Sequence, residues 1–228
     1  MARRRTSDPA PPDDGLVAGD RWSTWDTAQR GPAPCPDWLV TELAAVDTEL
    51  GVLKTGKEAD VHLVQREVPG TSRSCVLAAK RYRSPEHRMF HRDAGYLEGR
   101  RVRRSRETRA MARRTAFGRD LLAGQWATAE FTALCRLWRL GAPVPYPVQL
   151  NGTELLLEYL DEPDGQAAPR LAQLRPGPAQ LRALWDQLVD AVALLTDEGL
   201  AHGDLSPFNL LVHRPRVVHN PRVGAGCG

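Results

Sequence analysis

The stretch AHGDLSPFNLLV, residues 201–212, decides how the rest of the chain is read. Asp204 and Asn209 stand five apart in a polar loop, with a long amphipathic segment before it and the short apolar run LLV behind it. This is the spacing of a phosphotransferase catalytic loop, in which the aspartate orients the acceptor hydroxyl and the asparagine holds a metal. The competing reading is a turn in which both side chains satisfy local backbone donors. A bare D-x-x-x-x-N arises often by chance, so the loop needs partners elsewhere in the chain.

Two misplaced charges supply them. CVLAAKRY at 75–82 reads as a strand whose period of two puts Val76, Ala78 and Lys80 on one face. A lysine there either snorkels to solvent or meets an anion. In QWATAEFTALCRLWRL, Trp126, Glu130, Ala133 and Leu137 share one helical face. A carboxylate on such a face is costly unless a cation reaches it. Lys80 and Glu130 explain each other as the lysine–glutamate pair that orients nucleotide phosphates in kinases. A third segment, TGKEADV at 55–61, aligns at Val61 with the glycine-rich loop G-x-G-x-x-G-x-V, of which only the middle glycine is kept, as Gly56. It does not match G-x-x-x-x-G-K-[ST], and alone it reads as a polar hairpin turn.

Outward from these residues, the pattern is that of an α+β protein in two lobes. DWLVTELAAVDTEL, with Leu39, Leu43, Val46 and Leu50 at helical spacing, predicts a helix. Short strands follow near Gly51–Lys54 and Asp60–Gln65, and Asn151-Gly152 marks a hairpin between PYPVQL and TELLLEYL. A Pro- and Gly-containing connector runs from Asp161 to Pro178. Leu181, Leu184, Leu188, Val192 and Leu195 then predict a helix that Gly199 caps. Strands, one interposed helix, a hairpin and a helix suit two lobes better than a doubly wound parallel sheet. The expected units are a mobile tail over 1–36, an N-terminal lobe over 37–160 and a C-terminal lobe over 161–228.

Composition narrows the class further. With 228 residues, 42% hydrophobic and 26% charged, the chain is neither fibrous nor disordered as a whole. Its longest aliphatic run, AVALL at 191–195, is far short of the ~20 residues a membrane-spanning helix needs. MARRRTSDPAPPDD is basic with no apolar stretch behind it, unlike a secretory signal, so the expected compartment is the cytoplasm and no membrane partner is expected. Cys35, Cys75, Cys135 and Cys227 form no C-x-x-C pair, which argues against a zinc ribbon or a disulfide framework. Charge is uneven: residues 99–119 hold nine arginines and one glutamate, a net +8 in a chain of net +3, which leaves −5 elsewhere. Such a run suits a polyanion, RNA included, through phosphate contacts, or is a solvated arginine-rich segment with no partner. Ser105, Thr108 and Thr115 inside it are candidate phosphorylation sites.

Taken together, KTGKEADVHLV, AAKRYR, the arginine-rich RRVRRSRETRAMARRTAFGR, AGQWATAEFTALCRLWRLGAPVP, LLLEYLDEPDGQAAPRL and HGDLSPFN resemble the RIO family of atypical serine/threonine protein kinases, in a bacterial, actinobacterial-like form, over about residues 50–213. The resemblance implies a bilobal protein-kinase-like fold using ATP and magnesium. On it, Thr55, Gly56, Lys57 and Glu58 form the phosphate-facing loop, and Lys80 and Glu130 the ion pair. Glu158 to Leu160 form the hinge beside adenine, and Val61 and Ala78 count among the nucleotide-binding residues. Asp204 is the catalytic aspartate and Asn209 a magnesium ligand. The family is known for serine autophosphorylation, ATPase behaviour and, outside bacteria, small-subunit ribosome maturation; the protein substrate here is not implied.

One departure bears on activity. The family has a further metal-binding aspartate on the strand just beyond the catalytic loop, whereas residues 210–228, LLVHRPRVVHNPRVGAGCG, contain no Asp or Glu. His213, His219 and Asn220 are poor substitutes, since magnesium prefers carboxylate and water oxygens. The expected C-terminal lobe is therefore incomplete, with a truncated or out-of-frame ending. Two alternatives stand beside the kinase reading. One is a non-catalytic module that binds nucleotide or RNA. The other is a small-molecule phosphotransferase of the aminoglycoside or choline kinase kind, against which TGKEAD and the arginine run speak.

Overall fold

The structure is a computed structural model that describes residues 21–83, 116–214, 216–219 and 223–225. Most of the arginine-rich window, residues 99–115, lies outside the described residues, as do Ser105, Thr108, Thr115, Asn220 and Cys227. Among the described residues no helix is long and apolar enough to cross a membrane.

The core element is a seven-stranded antiparallel sheet. Its strands are β1 (Arg21–Trp22), β2 (Gln29–Arg30), β3 (Val46–Thr55), β4 (Ala59–Glu67), β5 (Ser74–Tyr82), β6 (Pro147–Asn151) and β7 (Glu154–Glu158), in the order β1-β3-β4-β5-β7-β6-β2. Between β5 and β6 runs α1 (Ala116–Arg139). After β7 come a 3-10 turn at Leu171–Gln173, α2 (Pro178–Asp197), β8 (Leu200–His202), β9 (Leu210–His213), β10 (Arg216–His219) and β11 (Val223–Ala225). β9 pairs with β10 and β8 with β11, each pair separate from the large sheet. The order is that of an α+β protein.

The sheet is buried on both faces, which is why β7 reads ELLLE rather than as a clean alternation. Leu155 and Leu157 join Ala78, Tyr82 and the α1 residues Ala123, Ala127, Phe131, Leu134 and Leu137 in one core. Leu156, Leu77, Ala79 and Val64 face the other way, into a core closed by Trp25, Leu39, Tyr146 and Val148. The hairpin expected at Asn151-Gly152 forms one residue later. Asn151 pairs with Glu154, and Gly152 takes the first loop position at φ 59, the left-handed region that the II′ arrangement demands. α2 ends as expected, with Gly199 at φ 65.

Three expectations are corrected. Residues 37–50 do not form a helix. Asp37 to Ala45 are irregular and β3 starts at Val46, absorbing the expected strand at Gly51–Lys54. The helical period was coincidental, since Leu39 and Val46 are buried while Leu43 and Leu50 are 74% and 49% exposed. Sheet pairing outweighs local propensity here, because β3 pairs with β4 from Val46–Glu67 to Thr55–Asp60. Secondly, residues 21–36 are no tail: Trp25 is buried, β1 pairs with β3, β2 pairs with β6, and the Tyr146 hydroxyl donates to Pro32 O at 2.8 Å. Thirdly, the core stripe of α1 runs through Ala123, Ala127, Phe131 and Leu134; of the expected face Leu137 is fully buried with them, while Trp126 and Ala133 only flank it.

Beneath the 21–45 segment lies a charge pair the pattern did not reveal. Arg66 on β4 donates from Nε and Nη2 to Asp47 Oδ1 and Oδ2 at 2.6 and 2.9 Å, and from Nη1 to Gln149 Oε1 at 3.0 Å. Gln149 Nε2 donates in turn to Thr24 Oγ1 at 2.7 Å. Both charged side chains are 0% exposed. The fork geometry and the Gln149 bond satisfy most of the desolvated donors, so the pair is tolerable; half of it is not. Arg66→Ala is expected to cost about 3–5 kcal/mol in denaturant unfolding, the range for breaking a buried pair. The double change Asp47→Leu with Arg66→Met is expected to cost less than that single truncation.

Candidate active site

β5 carries the site because its alternation points Ala78, Lys80 and Tyr82 toward α1. Lys80 Nζ lies 2.7 Å from Glu130 Oε1 and 2.6 Å from Oε2, with the two side chains 18% and 10% exposed. The strand lysine and the helix glutamate therefore meet, as their mutual misplacement required. Tyr82 adds a contact the sequence reading did not include. Its hydroxyl donates to Glu130 Oε2, and Lys80 Nζ stands 5.0 Å from its ring centroid. The signal was present, since Tyr82 continues the Val76, Ala78, Lys80 alternation.

Thr55, Gly56, Lys57 and Glu58 make the turn between β3 and β4. Gly56 N–H donates to Ala59 O at 3.0 Å, and a Cβ on Gly56 would sit 2.9 Å from that same oxygen, so the turn closes only around glycine. Arg83, just past β5, pins this turn: its N–H donates to Glu58 O at 2.8 Å, and its guanidinium reaches Gly56 O at 3.2 Å and the Asp60 carboxylate. The hydrogen bond from Arg83 holds the Asp60 carboxyl below its usual range. Val61, opposite Lys80 in the ladder, packs with Ala78 on the same face.

The segment Glu158–Leu160, expected from the resemblance to be the hinge, leaves β7 at Glu158. Its N–H donates to Tyr146 O at 2.8 Å, and its Oε2 accepts from Tyr146 N–H at 2.9 Å. Burial raises the Glu158 pKa, opposed by the Tyr146 bond and by the nearby His213 and Arg214 charges. Leu160 packs with Ala168, Val218 and Leu211, so this segment touches the β9–β10 pair that follows the Asp204–Asn209 loop.

In that loop Asn209 Nδ2 donates to Asp204 O at 2.9 Å and to Asp204 Oδ2 at 2.8 Å. Asp204 N–H donates to His202 Nδ1 at 3.3 Å, and burial lowers the His202 pKa, in keeping with a neutral accepting ring. The amide orientation leaves Asn209 Oδ1, a hard oxygen, as the group able to face a cation. Neither β9 (LLVH) nor β10 (RVVH) carries an acidic residue, and His213 Nε2 lies 3.0 Å from Asp161 O. Among the described residues no cluster of three His, Cys, Asp or Glu could hold a metal by itself. The donor set thus fits a magnesium ion only as one carried largely by phosphates and water, the way that ion is commonly held beside nucleotides.

Residues 77–219 match the RIO domain family model. The serine/threonine-protein kinase rio1 of Schizosaccharomyces pombe is 30% identical over 176 residues, covering 73% of this chain and 31% of that protein. The RIO-type serine/threonine-protein kinase Rio1 of Haloferax volcanii is 31% identical over 176 residues, covering 76% of this chain and 53% of that one. Among solved structures, the Rio2 kinase-ADP/Mg2+-phosphoaspartate complex from Chaetomium thermophilum aligns with a TM-score of 0.47 at 19% identity, over 78% of this chain and 49% of that one. The chain spans about half or less of the length of each of these relatives.

The raised Glu158 carboxyl gives a pH signature. A carboxyl whose folded pKa lies above its unfolded one penalises folding where it is ionised in both states; the penalty is absent at low pH and develops as pH rises through the folded value. Glu158→Gln keeps an oxygen for Tyr146 N–H. It is expected to be more stable than the parent in denaturant unfolding at neutral pH, and to lose that advantage below the ordinary glutamate pKa of about 4.3.

Proposed function

The chain belongs to the RIO domain family, and from that premise we propose that it binds ATP with magnesium on the Lys80 face of the sheet and transfers the γ-phosphoryl group slowly to a serine. The observation that carries this reading is the Lys80–Glu130 pair, two side chains held bidentately at 2.6 and 2.7 Å. An ammonium has three donors, and the pair aims and steadies it for an α- or β-phosphate oxygen. The turn at Thr55–Glu58 faces the phosphates, Val61 and Ala78 offer an apolar platform to the base, and Glu158–Leu160 line its edge.

Asp204 accepts the proton of the acceptor hydroxyl, and Asn209 keeps Asp204 in place through its amide while offering Oδ1 to the ion. Magnesium, when bound with the nucleotide, neutralises charge on the phosphates. The absence of any acidic side chain on β9 and β10 removes a second carboxylate that would fix that ion. That favours nucleotide binding over fast turnover. Removing a preorganised electrostatic group commonly costs ~10² to 10³ in rate.

Two measurements test this. Calorimetric titration with a non-hydrolysable ATP analogue and magnesium should show Lys80→Ala losing more affinity than Asp204→Ala, because lysine meets phosphate in the ground state while the aspartate acts on the acceptor. Equal losses would count against these roles. Transfer of labelled phosphate from ATP to the chain itself should be magnesium-dependent and well below the ~1 per second at which kinases begin to be typical. Turnover at or above that rate would overturn the slow-transfer reading.

A further inference from the structure

We propose that Tyr82 is a positioning residue for the Lys80–Glu130 pair, holding the glutamate carboxylate in place when the lysine turns to a nucleotide phosphate. This rests on the nucleotide-binding reading above. Glu130 Oε1 takes one bond, from Lys80 Nζ at 2.7 Å; Oε2 takes two, from Lys80 Nζ at 2.6 Å and from the Tyr82 hydroxyl. A carboxylate that is 10% exposed has little water to fall back on. When phosphate draws the ammonium away from one carboxylate oxygen, that charge needs a donor that does not move. The Tyr82 hydroxyl is such a donor, neutral and therefore not itself drawn to the phosphate.

Its own placement is fixed from three sides. The ring is buried in the core formed with Ala59, Ala123 and Ala127. The backbone N–H donates to Thr153 O at 3.0 Å, and Ala59, the first residue of β4 after the phosphate-facing turn, is its ladder partner. The next residue, Arg83, donates from its backbone to Glu58 O and from its side chain to Gly56 O. One strand end thus fixes the turn through Arg83 and the helix glutamate through Tyr82. A donor on a rigid element holds a neighbour's geometry better than one on a loop. The ring also contributes through its face, with Lys80 Nζ 5.0 Å from the centroid.

Tyr82→Phe separates these contributions, because it keeps the ring, its packing and the cation–π contact and deletes only the hydroxyl. In the full chain the variant should bind a non-hydrolysable ATP analogue with magnesium about ten- to a hundredfold more weakly, the scale of one hydrogen bond to a charged group. Adenosine, which has no phosphate, should bind it as it binds the parent. The loss should vanish in a Glu130→Gln background, where the charge that Tyr82 steadies is gone. A merely structural role would weaken adenosine and analogue alike, and that result would overturn the proposal. So would unchanged analogue affinity in Tyr82→Phe alongside a clear loss in Lys80→Ala, or an undiminished loss in the Glu130→Gln background. A parent chain with no affinity for the analogue would overturn the nucleotide reading, and this one with it.

Discussion

β5 has to serve two interiors at once, and most of the molecule follows from that constraint. Its alternating residues Leu77 and Ala79 belong to the core beneath the 21–45 segment, while Ala78 and Tyr82 belong to the core beneath α1. Over Leu77–Ala79 the strand is buried on both faces and has no solvent side on which to put a charge, and only toward its end do charged side chains appear. Lys80 therefore lies between core and surface, and the only economical solution is an anion delivered by the element packed against that face. α1 delivers Glu130. The site is a consequence of sheet burial as much as of local sequence.

The same logic operates on the opposite face with a different outcome. Arg66 and Asp47 are fully enclosed, fork to fork, with a further bond from Arg66 to Gln149. Lys80 and Glu130 keep partial access to solvent. A guanidinium held fork to fork with a third bond besides is a fixture; an ammonium on a flexible stem can exchange partners. The chemistry of the two cations thus sorts the pairs into one that holds the sheet and one that can respond to a ligand.

What was legible in the sequence divides along physical lines. Lys80 and Glu130 could be found because each broke the pattern of an element whose period was correctly read. Arg66 and Asp47 escape the pattern, since the expected strand ends at Gln65, one residue before Arg66, and Asp47 falls within a segment whose spacing predicts a helix. The helix itself was misread because apolar residues at helical spacing also occur in an irregular segment followed by a strand, and only pairing with β4 distinguishes them. Residues 21–36 have no period to detect: their two strands are two residues each, and they are anchored by Trp25 and by Tyr146 rather than by a repeating face. Tyr82 was missed by stopping one step short in an alternation that continued.

The 21–30 segment clasps both edges of the sheet, β1 lying on β3 and β2 on β6. Its bond from Gln149 to Thr24 spans 125 residues of chain. A contact of that separation closes a far longer loop than β1 does in pairing with β3 across 24 to 26 residues, so its loop entropy is costly to recover early. The clasp is thus a latch rather than a nucleus. Substitutions on its β2–β6 side are then expected to fall on the unfolding rate more than on the folding rate, so that a short strap bears on how long the sheet lasts more than on how quickly it is found.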